Sequence, residues 1–321
     1  MKDVFRFGII GCGDIAGHFA QAVESLDGAV IEAVAARDAG RARDFARRHA
    51  IRQYYGDYAQ MLQNSTLDGV YVATVNSAHL ESILIAVDAG LPVLCEKPMA
   101  LSVSDFDRAT RAAEQKGVAL MEAMWSCFLP AYDKMREMIR DGQLGNIARA
   151  DIHFSVPFPK NPASRIYSPA LGGGLIYDIG VYNLHTAFTL FGENFRDLSV
   201  CGRKGPTGVD VGSVIAFSYD DGPLVCTTTA DVAGPHELIL CGDRGRLQAD
   251  HFNGAQRLVL SQEGVPQQII PCPFAGNGFE YEIQEFIAVV RSGRKESTLL
   301  PWSRSRLVCK MMEDAVHKIC G

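Results

Sequence analysis

Short apolar runs alternate with longer amphipathic stretches along the N-terminal third of the chain. Five runs are apolar on both faces, which is typical of strands covered by helices on both sides: Phe7–Ile10, Val30–Ala36, Gly69–Ala73, Pro92–Cys95 and Val118–Met121. Four stretches between them have helical periodicity: Asp14–Ser25, Ala39–His49, His79–Ala89 and Ser102–Lys116. This alternation predicts an α/β fold, a doubly wound parallel sheet of the Rossmann type, as a first domain over residues 1–123.

The ends of the predicted helices carry residues that suit those positions. Asp38 and Ser102 stand where an N-cap side chain is expected. Gly90 and Gly117 follow their helices, where a left-handed residue commonly ends the helix. The capping residues and the periodicity therefore predict the same helix boundaries.

The pattern changes after Trp125 and predicts an α+β domain over residues 124–321. A strand at Ile147–Phe154 precedes a proline-rich stretch, the triple glycine Gly172–Gly174 and a helix that ends near Phe191. The other predicted elements are a helix at Pro130–Arg140, strands at Val211–Tyr219, Leu224–Thr229, Glu237–Cys241 and Arg246–Ala249, and helices at Gly278–Arg291 and Ser303–Ile319. We expect an open, mostly antiparallel sheet with helices on one face. A second copy of the chain would cover the other face, so a homodimer or higher homo-oligomer is predicted.

Composition and charge exclude several classes of function. The net charge is −6, so no basic field attracts a polyanion, and a nucleic-acid partner is not expected. No run is as long as a membrane helix, and the first residues lead into a strand without the pattern of a signal peptide. The nine cysteines show no C-x-x-C spacing, which favours reduced thiols in a cytoplasmic protein and gives no support for a metal site.

A glycine-rich turn follows the first predicted strand. Gly11-Cys12-Gly13-Asp14-Ile15-Ala16 fits G-x-G-x-x-A at the start of a βαβ unit. Gly11 permits the tight turn, Gly13 lets the backbone approach a pyrophosphate, and Ala16 keeps the helix close to the sheet. Glycines also end strands for structural reasons, but this position favours a dinucleotide site.

The end of the second predicted strand indicates which dinucleotide is bound. The chain reads Ala36-Arg37-Asp38, with Arg41 in the next turn. An arginine at the strand tip suits the 2′-phosphate of NADP, because its planar guanidinium forms charge-assisted bonds to phosphate oxygens. In the alternative, Arg37 is a solvated surface charge and Asp38 binds a ribose hydroxyl of NAD. We favour NADP over NAD.

Two segments supply candidate catalytic groups. Lys97, in Cys95-Glu96-Lys97-Pro98, lies just beyond the carboxyl end of a buried strand, where ligands bind open α/β sheets. Asp178, Tyr182 and His185 would share one face of the helix that follows the triple glycine. Such a polar stripe is commonly a solvent face, although three glycines before it allow another group to approach closely.

A lysine and a tyrosine form a chemically credible acid–base pair for alcohol oxidation. The reaction needs a base for the hydroxyl proton while hydride leaves for a nicotinamide. A free tyrosine has a pKa of about 10, and an adjacent ammonium would lower it. Asp178 would orient the pair or bind a substrate hydroxyl.

The motifs, in this order and spacing, resemble those of the glucose–fructose oxidoreductase and inositol dehydrogenase (Gfo/Idh/MocA) family. The resemblance is strongest to its branch of dimeric dihydrodiol dehydrogenases and NADP-dependent D-xylose 1-dehydrogenases, and it covers nearly the whole chain. It rests on Gly11–Ala16, Ala36-Arg37-Asp38, Cys95-Glu96-Lys97-Pro98, Glu122-Ala123-Met124-Trp125, Leu144-Gly145, Gly172–Tyr182, and the ending around Gly278, Tyr281, Glu282 and Lys295-Glu296-Ser297.

The resemblance implies roles for individual residues and an oligomer built on the open sheet. Lys97 and Tyr182 would serve proton transfer; the inositol dehydrogenase branch has histidine at the position of Tyr182. Arg37 and Arg41 match NADP-binding positions. The remaining expected cofactor contacts are Gly11, Cys12, Gly13, Asp14, Ile15, Ala16, Asp38, Thr74, Asn76, His79, Glu96, Lys97, Trp125 and Arg165, and the expected substrate contacts are Lys97, Trp125, Phe154, Arg165, Asp178 and Tyr182.

Some positions depart from the family pattern or allow another interpretation. Many members have Thr-Pro-Asn-x-x-His after the fourth strand, whereas this chain has Val75 in place of the proline. His79 is alternatively a helix-start residue, and His185 is either a competing base or a structural residue. Cys12 and Cys95 are more simply explained as buried apolar thiols than as reactive groups.

The sequence thus predicts an NADP-dependent dehydrogenase for a small polyhydroxylated substrate, a sugar or a cyclic trans-dihydrodiol. One alternative is an NADPH-dependent keto-sugar reductase, because the same pair works in both directions. The other alternative is a non-catalytic nucleotide-binding regulator. Regulators of this fold tend to lack the lysine or the helix base, and this chain has both Lys97 and Tyr182.

Overall fold

The computed structural model describes residues 4–321, which form two compact units. The first unit contains the described residues up to Trp125 together with Ala275–Arg306. The second contains Ser126–Phe274 and Leu307–Gly321. A late segment of the chain therefore returns to the N-terminal unit.

Nine α-helices are formed within residues 4–321. They are α1 (Asp14–Glu24), α2 (Ala39–Arg48), α3 (Tyr58–Asn64), α4 (His79–Asp88), α5 (Val103–Lys116), α6 (Pro130–Arg140), α7 (Val181–Phe191), α8 (Glu280–Arg291) and α9 (Trp302–Cys320). In this described part of the chain, no helix is both long enough and apolar enough to span a membrane.

The first unit is built on a six-stranded parallel sheet. Its strands are β1 (Phe5–Ile10), β2 (Ala29–Ala35), β3 (Gln53–Tyr55), β4 (Gly69–Val72), β5 (Val93–Glu96) and β6 (Leu120–Ala123), in the spatial order β3-β2-β1-β4-β5-β6. All neighbouring strands pair in parallel. The predicted doubly wound sheet is confirmed. The strand order reverses between β1 and β4, and open α/β sheets commonly bind ligands beyond the carboxyl ends of the strands at such a reversal.

The predicted caps of α2 and α5 are present. Asp38 accepts a hydrogen bond from the backbone N–H of Arg41 at 3.0 Å, and Ser102 accepts one from Asp105 at 3.1 Å. Gly117 ends α5 in the left-handed conformation, with φ of 68°. Each cap satisfies backbone groups that a helix end leaves without an intrahelical partner.

The second unit contains an eight-stranded mixed sheet. Its strands are β7 (Ile147–Ser155), β8 (Arg196–Lys204), β9 (Asp210–Ser218), β10 (Leu224–Ala230), β11 (His236–Gly242), β12 (Arg246–Asp250), β13 (Arg257–Gln262) and β14 (Val265–Pro271), in the order β14-β13-β12-β11-β7-β10-β9-β8. Only β7 and β10 pair in parallel among these strands. The predicted open, mostly antiparallel sheet is confirmed.

One face of this sheet is buried and the other is more open. Along β9, Ile215 and Phe217 are buried, whereas Val214, immediately before Ile215, is exposed. Phe188 of α7 packs against Phe217, with ring centroids 5.7 Å apart. The alternation follows from the two-residue period of a strand covered on one side.

Several short or exposed elements were absent from the sequence-based description. The missed strands are β3, β8, β13 and β14, and the missed helix is α3. Strands β8 and β14 form the two edges of the second sheet, and nearly all their residues are exposed or half-buried. Hydrophobic periodicity does not reveal such strands, because a sheet edge has little apolar surface to bury.

Candidate functional site

The turn after β1 has a backbone that only glycine fits. Gly11 has φ of +108°, and a Cβ there would lie 2.4 Å from the carbonyl oxygen of Ala73. Its N–H donates to the carbonyl of Ala35 at 2.9 Å. Gly11 therefore lets the loops after β1 and β4 approach each other at the strand-order reversal.

The first turn of α1 leaves room for an anion. Gly13 is the N-cap of α1, and a Cβ there would meet no atom within 4 Å. The first N–H groups of a helix lack intrahelical partners and favour negative charge. Ala16, on the opposite side of this turn, is completely buried. These residues fit the pyrophosphate of a dinucleotide.

The tip of β2 carries the residues predicted to select the cofactor. Arg37 is exposed, and Asp38 caps α2 by accepting from Arg41. Burial raises the pKa of Tyr58, at the start of α3. The positive charges of Arg37 and Arg41 lie close enough to oppose part of this shift. Sequence analysis missed Tyr58, because α3 is short. Its only signal was the capping residue Asp57 before it.

His79 connects two loops of the first unit. Its Nδ1 lies 2.8 Å from the carbonyl oxygen of Pro98, and its Nε2 lies 3.2 Å from that of Thr74. The ring is buried, and burial lowers its pKa, which favours the neutral form. Asn76 begins a short 3-10 turn just before α4. The ring contacts assign a structural role to His79, and its contact with a cofactor stays a prediction.

Glu96 and Lys97 lie at the carboxyl end of β5, and the Lys97–Pro98 peptide is cis. The Glu96 carboxylate accepts from the backbone N–H of Lys97 at 3.2 Å and from the hydroxyl of Tyr71. Cys95 is buried, and burial raises the pKa of its thiol well above the usual range. Cys12 is half-buried, and the same cause raises its pKa to about 11. Both thiols are thus protonated at neutral pH, as expected for packing residues.

Trp125 stacks on an aromatic ring that sequence analysis did not select. The rings of Trp125 and Phe279 have centroids 5.4 Å apart and an interplanar angle of 20°. Phe279 immediately precedes α8, in the segment that returns to the first unit. The two positions are far apart in sequence, so no local pattern links them.

In the second unit, Tyr182 and Phe154 pack together. Tyr182 is the second residue of α7, and it is 8% exposed. Its ring centroid lies 5.7 Å from that of Phe154. Phe154 stacks on His236 at 3.8 Å, and His236 Nδ1 lies 3.1 Å from Nδ1 of His251. Burial lowers the pKa of His236 to about 4, so its ring is neutral at physiological pH. Sequence analysis missed His236.

Asp178 and Arg165 form an ion pair. Arg165 Nη1 lies 2.5 Å from Asp178 Oδ1, and the carboxylate is buried while the guanidinium is half exposed. Asp178 belongs to a π-helical turn, Ile176–Gly180, that runs directly into α7. Turns of this kind are frequent at functional sites. His185, one turn beyond Tyr182, is buried, in keeping with a structural role.

The loop that carries Arg165 is fixed by one buried carboxylate. Asp231, at the end of β10, is only 2% exposed in its side chain. It accepts from the backbone N–H of Phe158 at 2.9 Å and from the side chains of Lys160 and Tyr167. Asp231 was also missed, since its partners lie more than sixty residues away along the chain.

A second buried carboxylate caps the helical segment that carries Asp178 and Tyr182. Asp210 accepts from the backbone N–H of Ile176 at 2.9 Å. Gly174 has φ of +123°, and a Cβ there would lie 2.4 Å from Asp210 Oδ1. The last glycine of the triple is thus required by this close approach. Burial raises the pKa of Asp210 to about 6, although the backbone donors oppose the shift.

The predicted residues fall into two groups. Those around the dinucleotide turn, together with Thr74, Asn76, Glu96, Lys97 and Trp125, belong to the first unit; Phe154, Arg165, Asp178 and Tyr182 belong to the second. Across residues 4–321, no cluster of three or more histidine, cysteine or acidic side chains could hold a metal ion.

Comparison with known families gives two matches. Residues 5–124 match the model described as oxidoreductase family, NAD-binding Rossmann fold. Residues 132–248 match the model described as GFO/IDH/MocA C-terminal domain.

Relatives and solved structures resemble the chain over its whole length. A trans-1,2-dihydrobenzene-1,2-diol dehydrogenase from Mus musculus is 30% identical, over 97% of this chain and 95% of its own. The corresponding enzyme from Danio rerio is also 30% identical, over 98% and 96%. A 3-ketoreductase from Actinomadura kijaniata, solved with NADP and TDP-benzene, is 26% identical with a TM-score of 0.89, over 98% of both chains. An aldose–aldose oxidoreductase from Caulobacter crescentus has a TM-score of 0.88 at 21% identity over 98% of both chains, which indicates a shared fold.

Proposed function

This chain belongs to the GFO/IDH/MocA oxidoreductase family, and from that premise we propose that it transfers hydride between NADP and a secondary alcohol of a sugar or a cyclic trans-dihydrodiol. Its enzyme class is that of nicotinamide-dependent dehydrogenases acting on CH–OH groups. The observation that carries the proposal is Tyr182, a phenol almost excluded from water, one helical turn beyond the ion pair of Asp178 and Arg165.

The proposed roles follow from the chemistry of these side chains. Tyr182 accepts the hydroxyl proton of the substrate, and the ammonium of Lys97 favours the phenolate. When bound, the oxidised nicotinamide accepts the hydride. Asp178 and Arg165 offer an acceptor and several donors for neighbouring hydroxyl groups. Phe154 and Trp125 supply apolar surfaces for a ring. Joint action of Lys97 and Tyr182 is part of the proposal.

NADP is proposed over NAD because of the charges at the tip of β2. Arg37 is exposed beyond the strand and Arg41 follows it in α2, where both are available to a 2′-phosphate. The carboxylate that would bind a ribose hydroxyl of NAD, Asp38, is engaged as the cap of α2. The similar 3-ketoreductase was solved with NADP.

Reduction of a keto-sugar with NADPH is the second candidate. The 26% identity with a 3-ketoreductase favours it, and the same acid–base pair serves both directions. The assignment to one direction depends on which substrate is turned over. A regulator without activity is disfavoured by the presence of both Lys97 and Tyr182.

We also propose a first domain over residues 1–123 and a second over residues 124–321, from which the segment Ala275–Arg306 returns to the first compact unit. A homo-oligomer and a cytoplasmic location are proposed as well. A homodimer is supported by the open face of the second sheet, where Val214 and Leu224 are exposed. A cytoplasmic location is supported by the nine cysteines, all of which are free thiols in the described chain.

A spectrophotometric screen tests the proposed activity. The purified protein is incubated with aldoses, inositols and trans-dihydrodiols in the presence of NADP or NAD, and with keto-sugars in the presence of NADPH. We expect turnover of at least one polyhydroxylated ring, with a higher kcat/KM for NADP than for NAD. Absence of turnover with every substrate, despite binding of NADPH, would favour the regulator.

A further inference from the structure

A buried glutamate of α8 has no role in the function proposed above. Glu282 has none of its surface exposed. Neither of its carboxyl oxygens has a hydrogen-bond partner within residues 4–321. A carboxylate in such surroundings would pay a large desolvation penalty without compensation, so the neutral acid is strongly favoured.

Strand register places Glu282 on the same side of the sheet as Tyr71 and Glu96. Phe286, one turn along α8, packs against Phe7 of β1 with ring centroids 6.0 Å apart. A Cβ at Gly69 would lie 3.0 Å from Phe286, so this face of β4 looks towards α8. Alternation then places Tyr71 on the same face.

Glu96 shares that face through the pairing of β4 with β5. Tyr71 pairs with Leu94, and Glu96 lies two residues beyond Leu94. Both oxygens of Glu96 accept hydrogen bonds, one from Tyr71 and the other from the backbone N–H of Lys97. An acceptor of two donors is best satisfied as a carboxylate.

Within residues 4–321, the charged group that acts on Glu282 from a neighbouring element is Glu96 of β5. Burial raises the pKa of Glu282 well above its usual range, and the charge of Glu96 raises it further. Burial likewise raises the pKa of Tyr71 of β4, and the charges of Glu96 and Glu282 act in the same direction. Helix α1 faces this region with Phe19, which stacks on Tyr71 at 3.7 Å, and its Ser25 hydroxyl donates to Glu280. Two buried like charges are mutually unfavourable, so the pair Glu96–Glu282 binds one proton.

We propose that Glu282 is a positioning residue that carries this proton and so keeps Glu96 bonded to the backbone of Lys97. Loss of the proton would place a second buried negative charge near Glu96, and the mutual repulsion would disturb the position in which its carboxylate accepts from the Lys97 N–H. The loop that carries Lys97 would then lose its anchor at high pH. The consequence for catalysis rests on the proposed function of Lys97, whereas the location of the proton does not.

The first test measures unfolding equilibria from pH 5 to pH 9 for the wild type and Glu282→Gln. The folded wild type retains a proton that the unfolded chain releases, so its stability relative to the variant is greatest at low pH and falls as the pH rises. We expect the ratio of their unfolding constants to change by about tenfold per pH unit below the folded-state pKa. Exposed Glu114→Gln is the control and should give a constant ratio. A constant ratio for Glu282→Gln would overturn the proposal.

Infrared spectroscopy of the wild type provides a measurement that does not depend on folding of the variant. At pH 8 we expect the carbonyl stretch of a buried protonated carboxylic acid. This band should persist while the protein is folded and disappear on unfolding. Absence of this band would also overturn the assignment of the proton.

The second test concerns positioning and uses the pH profile of kcat/KM with the best substrate of the screen. The kcat/KM of the wild type should fall at alkaline pH. In Glu282→Gln this alkaline limb of the profile should move to higher pH, because the amide cannot ionise. A purely structural role would leave the limb in place. If the screen finds no substrate, the proposed function fails, while the unfolding and infrared results still decide whether the buried acid pair retains a proton in the folded protein.

Discussion

At the scale of single residues, Asp38 and His79 show how one side chain limits the interpretation of another. Asp38 caps α2 by accepting from the backbone N–H of Arg41, whereas the side chain of Arg37 is exposed at the tip of β2. His79 directs both ring nitrogens at backbone carbonyls, so its place near the cofactor turn has a structural cause. The sequence alone leaves open whether Asp38 and His79 bind a cofactor or have a structural role, because it does not show their hydrogen-bond partners.

Lys97→Met should abolish most turnover and leave NADPH binding largely intact. The substitution removes the ammonium that favours the phenolate, and loss of a general acid–base function costs roughly 10²–10⁴-fold in kcat. Steady-state kinetics and fluorescence titration with NADPH measure the two effects. Lys116→Met, on an exposed lysine of α5, is the control. Unchanged kcat in Lys97→Met would remove this residue from the mechanism.

Arg37→Ala should weaken NADP binding far more than NAD binding. A hydrogen bond to a charged group contributes about 1.5–3 kcal/mol, so we expect the Kd for NADP to rise roughly 10- to 100-fold. Titration with both dinucleotides measures the change. The control is Arg43→Ala. The guanidinium of Arg43 is exposed and pairs with Asp44, so its removal should change neither Kd. Equal losses for the two cofactors would contradict the assignment of NADP.

At the scale of elements, the segment from Gly174 to Phe191 depends on a residue outside it. Its first N–H groups are capped by Asp210 of β9, and the sequence of the segment alone contains no such cap. The sequence nevertheless predicted that α7 ends near Phe191, because the apolar periodicity of this helix is strong. The π-helical turn Ile176–Gly180 was not predicted, since the periodicity of the segment is that of an ordinary α-helix.

Asp210→Asn should flatten the dependence of stability on pH. The pKa of Asp210 is raised from 3.8 to about 6, so its protonated form stabilises the fold at low pH, and this contribution is lost as the pH rises through 6. Between pH 5 and pH 8 the free energy of unfolding of the wild type should fall by about 1.4 kcal/mol relative to the variant. Urea unfolding at each pH measures it. Exposed Asp221→Asn should show no such trend.

At the scale of the whole molecule, the open face of the second sheet supports the proposed dimer. Val214 is 37% exposed and Leu224 is 52% exposed. The two residues lie on neighbouring antiparallel strands and point to the same side, opposite the face that packs on α7. The open face of a sheet is commonly covered by another surface, and a second copy of the chain would supply one.

The double variant Val214→Glu, Leu224→Glu should convert the dimer into monomer. Each unpaired charge at a buried interface costs at least about 1–3 kcal/mol, so the dimer Kd should rise by roughly a hundredfold or more. Sedimentation velocity measures the oligomeric state. Val30→Glu, at an exposed position of the first unit, is the control. A wild-type protein that sediments as a monomer, or a double variant that stays dimeric, would contradict this interface.

Elements with a local pattern could be predicted from the amino-acid sequence. Five of the six parallel strands lie in short, mainly apolar runs, Asp38 and Ser102 lie within three residues of the N–H groups that they cap, and Gly11 and Gly13 follow the first strand directly. Each of these features depends on neighbours in the chain, so periodicity and capping preferences suffice to predict it.

Contacts between distant residues could be identified only once the fold was known. Asp231 bonds to residues 64 to 73 positions away, Phe279 stacks on Trp125, and Glu282 lies over the sheet on the side of Glu96. Burial raises the pKa of Glu282, and burial depends on contacts brought together by folding. The exposed edge strands β8 and β14 were likewise decided by backbone pairing, which needs a neighbouring strand and leaves no apolar pattern in the sequence.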